Sequence, residues 1–239
     1  MGRIGKLLPL WLMSFVLAMV CTAAQVMGHP TVSVIIKGVA SLLFVVTGIV
    51  AFRSCAGDAN DRKYRIYGIL MILGLVFGTV GDVFLGLSGD IFFISGVAAF
   101  AVGHVFYAAA FLYASGMYKI HAVTAIIILV LTGVYMNLVP YIDIKRMLIP
   151  CNFYLVVIAF MIGGAVSMKV NGRNNRLSGT LCFIGSIFFF VSDFILLHMF
   201  FGPAKSAFFV FTNMITYYIA QIMLALSLTG TLTSGSAEE

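Results

Sequence analysis

The sequence predicts an all-α integral membrane protein, a bundle of eight transmembrane helices with both termini in the cytoplasm. Three observations carry this. Of the 239 residues, 62% are hydrophobic and only 9% charged, whereas a soluble domain is roughly 45–50% apolar and about 25% charged. The apolar residues fall into eight runs, each long enough to cross a hydrocarbon layer of about 30 Å. The basic residues gather at one set of run ends, which is the pattern of cytoplasmic loops. No polar stretch is long enough for a separate soluble domain. Residues 1–229 therefore read as a single eight-helix domain and 230–239 as a flexible polar tail.

The spans follow in order at about 8–27, 33–52, 66–88, 91–114, 120–139, 149–168, 177–199 and 207–229. The first follows Arg3 and Lys6 and resembles a signal peptide at its basic start. Its apolar run is longer than an h-region of roughly 7–15 residues, so it reads as a helix. The second carries Lys37, the third Asp82, and the fourth His104 and Tyr107. The sixth carries Asn152 and Tyr154, the seventh Asp193, and the eighth Asn213 and Gln221. All eight are too long for barrel strands of about 9–11 residues.

The N-terminus and the loops after spans 2, 4 and 6 hold ten basic residues: Arg3, Lys6, Arg53, Arg62, Lys63, Arg65, Lys119, Lys169, Arg173 and Arg176. The opposite side holds three, Lys145, Arg146 and Lys205. This asymmetry accounts for the net charge of +6 without a nucleic-acid partner. The four cysteines make no disulfide framework. Cys21, Cys151 and Cys182 sit in apolar runs and read as small buried hydrophobes.

With the topology set, polar residues converge. Asp82 and Asp193 each lie about six residues from the outer ends of their spans, and Lys37 about four from the same side. His104 and Gln221 lie deeper, each about 13 residues into its span. Six spans thus aim polar groups at one zone, from the outer third to the middle of the membrane. Helical spacing supports a shared interior. Gly96, Phe100, Gly103, His104 and Tyr107 fall on one face, as do Asn213, Tyr217 and Gln221. Gly74, Gly78 and Asp82 form a face with room for close helix approach, and Gly185, Phe189 and Asp193 match it.

Each of these residues also has a plain structural reading. Lys37 could snorkel to the interface. The two acids could be structural partners of Lys37, and His104 and Gln221 could be interhelical glue. Tyr107 and Tyr154 could be packing residues. His121 and His198 lie near span ends and read as interface residues, while Asp58, Asp61 and Asp90 read as solvated loop positions. The phrases "VGDVFL" and "VSDFIL" each fall in the third span of a four-span half. They point to a four-plus-four duplication about an axis along the membrane normal, with the two acids facing each other across it.

An acid at the bilayer centre costs about 2.5–3.5 kcal/mol on insertion scales, so two of them call for a use. Two carboxyl groups buried close together do not both ionise, and a cation such as Lys37 favours the ionised form of one. The pair expected is one proton donor and one base. That suits hydrolysis through an oxocarbenium-like cation, as in glycosidases, and it equally suits a proton relay in a transporter. The sequence has no GxSxG elbow, no HExxH and no nucleotide-binding GxxxxGK[ST] loop.

The run "GDVFL…FFISGVAAFAVGHVFYAAAF" resembles the central signature of the YhhN, or lysoplasmalogenase, family. It is joined in the family's order by "PTVSVIIKG", "NFYLVVIAFMI", "GSIFFFVSDFILL" and "YYIAQIMLALS", over spans 2 to 8. The resemblance implies hydrolysis of the sn-1 vinyl ether bond of a membrane lysophospholipid. The products would be a fatty aldehyde and glycerophosphoethanolamine or glycerophosphocholine, formed without metal or organic cofactor. It maps the family's paired acids onto Asp82 and Asp193 as the catalytic residues. Lys37, His104, Tyr107, Tyr154, Gln221 and Asn213 would then position substrate or water, with Lys37 balancing the acids or attracting the lipid phosphate. The membrane would be the inner membrane in a bacterium and the endoplasmic reticulum in a eukaryote. The rival reading is a proton-coupled transporter or flippase, which should show broken helices at mid-membrane. Gly163-Gly164 is the one midspan candidate for a break.

Overall fold

The computed structural model describes residues 2–55, 62–140, 142–170, 176–203 and 206–230. Asp58, Asp61, Arg173, Lys205 and the tail beyond residue 230 lie outside the described residues. A short helix α1 (Gly2–Lys6) precedes eight long apolar helices: α2 (Leu8–Val26), α3 (Pro30–Ser54), α4 (Arg62–Gly86), α5 (Asp90–Ser115), α6 (Lys119–Leu138), α7 (Leu148–Val170), α8 (Arg176–Phe201) and α9 (Ala207–Leu226). One-turn 3₁₀ helices stand before α7 (Lys145–Met147) and after α9 (Ser227–Thr229). The chain is a multi-pass integral membrane protein, and all eight expected spans are present. They run a few residues beyond the apolar runs. Arg62 opens α4, and Asp90, expected in a loop, is the first residue of α5. Backbone hydrogen bonding continues into the polar margins because an unpaired amide is costly there too.

Local chemistry sets the ends. Pro30 occupies the first position of α3, where its missing N–H costs nothing. The tight α2–α3 turn uses Gly28 at φ +84°, a conformation that a side chain disfavours. Both described ends of the chain meet at one end of the bundle. There Cys55, just after α3, accepts from Arg3 Nη1 (2.9 Å) and donates to the Thr229 carbonyl (3.1 Å).

The packing repeats between the halves α2–α5 and α6–α9. α2 packs on α3 as α6 packs on α7, α3 on α4 as α7 on α8, α4 on α5 as α8 on α9, and α3 on α9 as α7 on α5. This is the pattern of two four-helix halves related by a pseudo-twofold axis, except that α2 also packs on α9 where α6 makes no comparable contact with α5. Six helices (α3, α4, α5, α7, α8 and α9) close a ring, with α2 and α6 outside it. Glycines let α4 and α5 lie close together: a Cβ on Gly103 would lie 3.2 Å from the Gly74 carbonyl oxygen.

Gly163-Gly164 does not break α7. The glycines instead form a notch for α6 and α5. A Cβ on Gly163 would lie 2.6 Å from the His121 carbonyl oxygen, and one on Gly164 would lie 3.0 Å from the Phe111 Cβ. His121, expected at an interface, is therefore buried (1% exposed) and stacked edge-on to Phe160. His198 is half-buried and ties α8 to α6 through Tyr135 Oη (2.8 Å).

Candidate functional site

The six ring helices bring the expected polar residues inward, in two clusters rather than one, except Asn152, whose side chain bonds the Leu148 carbonyl and Asn137 of α6 at the exposed side. In the first, Asp82 on α4 is 1% exposed and fully engaged. Its Oδ1 pairs with Lys37 Nζ at 3.0 Å. Its Oδ2 accepts from Ser41 Oγ (2.6 Å) and Tyr217 Oη (2.7 Å). Ser41, having given its proton to Asp82, accepts from Tyr218 Oη at 2.9 Å. Tyr217 accepts from Gln221 Nε2 (3.0 Å), whose Oε1 accepts from Tyr107 Oη (2.7 Å). Lys37 thus does not snorkel away from the acid. Gln221 and Tyr107 are buried behind Asp82 and touch neither cavity described below.

Glycines on α4 make this relay possible. A Cβ on Gly74 would run into the Tyr107 ring, and one on Gly78 into Gln221 Nε2. The face of small residues read from the sequence therefore admits a hydrogen-bonded chain as well as a neighbouring helix.

The second cluster surrounds Asp193 on α8. Tyr154 Oη of α7 donates to Asp193 Oδ2 at 2.8 Å, and His104 Nε2 of α5 lies 3.7 Å from the same oxygen, beyond hydrogen-bond reach. His104 is 1% exposed and Asp193 14%. The pseudo-symmetry extends to these partners. Asp82 is met from α3 and α9, and Asp193 from the corresponding α7 and α5.

The acids themselves do not meet. The route between them runs through rings: Tyr217 packs on Phe189 (centroids 5.4 Å apart), and Phe189 packs on His104 (4.4 Å). Phe100 closes the same wall against Tyr217 (5.7 Å). No hydrogen bond or ion pair joins the two carboxyl groups among the described residues; each has its own set of partners, on corresponding helices. Aromatic rings fill the axis because they cover more apolar area than any other side chains there.

Two cavities flank the C-terminal half of α8. The larger, about 390 Å³, lies between α5, α6, α7 and α8. Its walls are almost wholly apolar, with Phe93, Phe100, Met136, Phe194 and Phe201 among them, and Asp193 and Tyr154 supply polar atoms. The volume is within the usual range of small-molecule sites, about 300–1,000 Å³. The smaller, about 110 Å³, lies between α2, α3, α4, α8 and α9 and includes Lys37, Gln25, Ser33 and Asn213. Leu196 and Phe200 wall both. Asn213 spends its amide donor on Ser192 (2.7 Å to O, 3.0 Å to Oγ), which fastens α9 to α8.

Sequence reading missed Ser41 and Tyr218. Ser41 lies one turn from Lys37 on the same face, and that spacing was the available signal. Tyr218 carries no comparable signal.

Comparison with known proteins gives one family and two close relatives. The YhhN family model matches residues 32–228. A human protein named lysoplasmalogenase TMEM86A is 33% identical over 172 residues, which are 71% of this chain and 67% of that protein. Its bovine counterpart of the same name is 32% identical over 160 residues, 66% of this chain and 64% of that protein. The chain thus spans about two thirds of the length of these relatives. No solved structure matches it.

Proposed function

The chain belongs to the YhhN family, and we propose that it is a lysoplasmalogenase-like hydrolase that cleaves the vinyl ether bond of a single-chain alkenyl phospholipid. The observation that carries this reading is Asp193, a carboxyl group on the wall of an otherwise apolar cavity inside the membrane. An apolar chamber accepts an alkenyl chain, and a vinyl ether needs little more than a placed proton. The names of the two relatives support the same reading.

The chemistry divides between the clusters. Protonated Asp193 gives its proton to the β-carbon of the vinyl ether, and the ether oxygen stabilises the resulting oxocarbenium ion. The carboxylate left behind takes a proton from water as that water adds to the α-carbon. It also faces the cation and stabilises it electrostatically. The hemiacetal collapses, its hydroxyl proton passing to the glycerol oxygen, and yields aldehyde and alcohol. Tyr154 fixes the carboxyl through Oδ2, and His104 Nε2 lies 3.7 Å from the same oxygen. Asp82 plays a different part. Both its oxygens are engaged and it lines neither cavity, so it positions Lys37 and Tyr217. By the positive-inside rule the basic end faces the cytoplasm, which puts both cavities toward the outer leaflet.

The spans are continuous helices, without the midspan breaks of transporters that bind at the bilayer centre. The test is aldehyde release from an alkenyl lysophospholipid by purified protein in deuterated water. Hydrolysis by carbon protonation places one deuterium on the carbon next to the aldehyde. Release without that label removes the mechanism, and no release from any alkenyl lipid removes the assignment.

A further inference from the structure

We propose that the smaller cavity is a phosphoester subsite, with Lys37 as its anion ligand, and that it takes the head group of the lipid whose chain enters the larger cavity. This rests on the reading of the larger cavity as a lipid-chain site. Three observations carry it.

The first is the orientation of the buried pair. Lys37 is 15% exposed and lines the small cavity, while its partner Asp82 is 1% exposed and lines neither cavity. The pair is an anchored dipole with its positive end toward the cavity. Asp82, with Ser41 and Tyr217 behind it, holds the ammonium in one place, and a fixed cation binds an anion at less entropic cost than a free lysine does. The first turn of α3, Pro30 to Ser33, borders the same space and adds the partial positive charge of a helix start.

The second is the placement of the two cavities in the repeated fold. The large one is built by α5 to α8, with α6 outside the ring. The small one is built by α2, α3, α4 and α9, with α2 outside the ring and α8 as the added wall. Under the pairing of halves these are the same site twice. One copy is apolar and large. The other is smaller and lined by Lys37, Gln25, Ser33 and Asn213.

The third is their common wall. Leu196 and Phe200 border both cavities, one and two turns above Asp193 on α8. For an amphiphile with its reactive bond at Asp193 and its chain in the apolar cavity, this shared wall is the shortest boundary with the Lys37 cavity that the lining residues show. In a lysophospholipid only the three glycerol carbons separate the ether oxygen from the phosphate ester oxygen. At about 110 Å³ the small cavity exceeds by several-fold the roughly 10–15 Å³ that admits one water, which leaves room for a phosphate.

The experiment is equilibrium binding of two unreactive analogues to the protein in nanodiscs: a 1-O-alkyl-glycerophosphoethanolamine, and the 1-O-alkylglycerol that lacks the phosphoester. For the unaltered protein the phosphoester is expected to tighten binding at least about tenfold. The variant Lys37→Met/Asp82→Asn removes the cation without stranding a buried anion, and should bring the two analogues within about threefold. Gln25→Glu, at an exposed residue of the cavity rim, should weaken the phosphoester analogue and leave the alkylglycerol unchanged. Free glycerophosphoethanolamine should bind only at millimolar concentration; micromolar binding would assign the pocket to a free phosphoester and overturn the lipid assignment. Equal binding of both analogues to the unaltered protein overturns the inference alone. Binding of neither overturns it together with the chain-site reading.

Discussion

Replacing Lys37 with methionine removes the cation from a buried pair and leaves the anion behind. Asp82 would keep the hydrogen bonds from Ser41 (2.6 Å) and Tyr217 (2.7 Å), both made to Oδ2, but Oδ1 would face apolar surroundings. Breaking such a pair from one side costs about 3–5 kcal/mol. For a chain of this length each kcal/mol moves the melting point by roughly 2–4 °C, so a fall of about 6–20 °C is expected. Asp82→Asn is the milder change, because the stranded ammonium can turn into the small cavity that Lys37 already lines. Its expected cost is about 1–3 kcal/mol. The double variant should regain most of the loss. An asparagine oxygen at the Oδ2 position still accepts from Ser41 and Tyr217, and its amide then faces an uncharged methionine. Thermal unfolding in detergent can be followed by a fluorogenic maleimide, since Cys21, Cys55 and Cys182 are buried and free. A Lys37→Met variant within about 1 kcal/mol of the parent would refute the reasoning, as would a double variant no more stable than Lys37→Met.

The remaining expectations concern catalysis and packing. Asp193→Asn should lower kcat for aldehyde release by about 10²–10⁴-fold, the range of a lost acid or base, while binding of an unreactive alkyl analogue persists. Tyr154→Phe removes one hydrogen bond to that carboxyl and should cost about five- to tenfold in the same assay. Gly78→Ala, which in an ordinary helix gains about 0.5–1 kcal/mol, should here lose about 1–3 kcal/mol in thermal unfolding, because the new methyl meets Gln221 and disturbs its bond to Tyr217. Ala101→Phe, on the wall of the large cavity, should shift the preference toward shorter alkenyl chains in a kcat/KM series; an unchanged series would mean that the chain lies elsewhere.

What the sequence discloses follows from the range of each signal. Spans are legible because bilayer thickness imposes a run length that a local window detects. Asp82, Asp193 and His104 stand out because a polar group in hydrocarbon is costly wherever its partner lies. Helical phase then tells which residues share a face, and those faces do point into the ring. Phase does not tell which helices are neighbours. The Ser41–Asp82 and Tyr217–Asp82 bonds join residues 41 and 135 positions apart, so the spacing that places Ser41 with Lys37 and Tyr217 with Gln221 does not say which acid they meet. The same limit hid the aromatic wall of Phe100 and Phe189, since phenylalanine is ordinary in a membrane helix. His121 misleads for a related reason. Its place near a helix end suggests an interface, but the notch at Gly163-Gly164, some forty positions on, lets α6 approach closely enough to bury it.

The two similar phrases occupy corresponding places in the repeated packing, yet their acids differ in surroundings. Each acid is approached from two corresponding helices, but Asp82 receives three donors, Lys37 and Ser41 from α3 and Tyr217 from α9, whereas Asp193 receives a single hydrogen bond, from Tyr154 of α7. A carboxyl group with both oxygens occupied can hold a cation and a tyrosine in place, but it cannot approach a substrate carbon. A carboxyl group with Oδ1 free of hydrogen bonds among the described residues, on the wall of a cavity, can. The cost of placing Asp82 in the membrane is offset by its partners within the fold. Asp193 has fewer such partners, which agrees with the reactive role proposed for it. The two halves thus place an acid at corresponding positions but differ in the number of partners each acid receives.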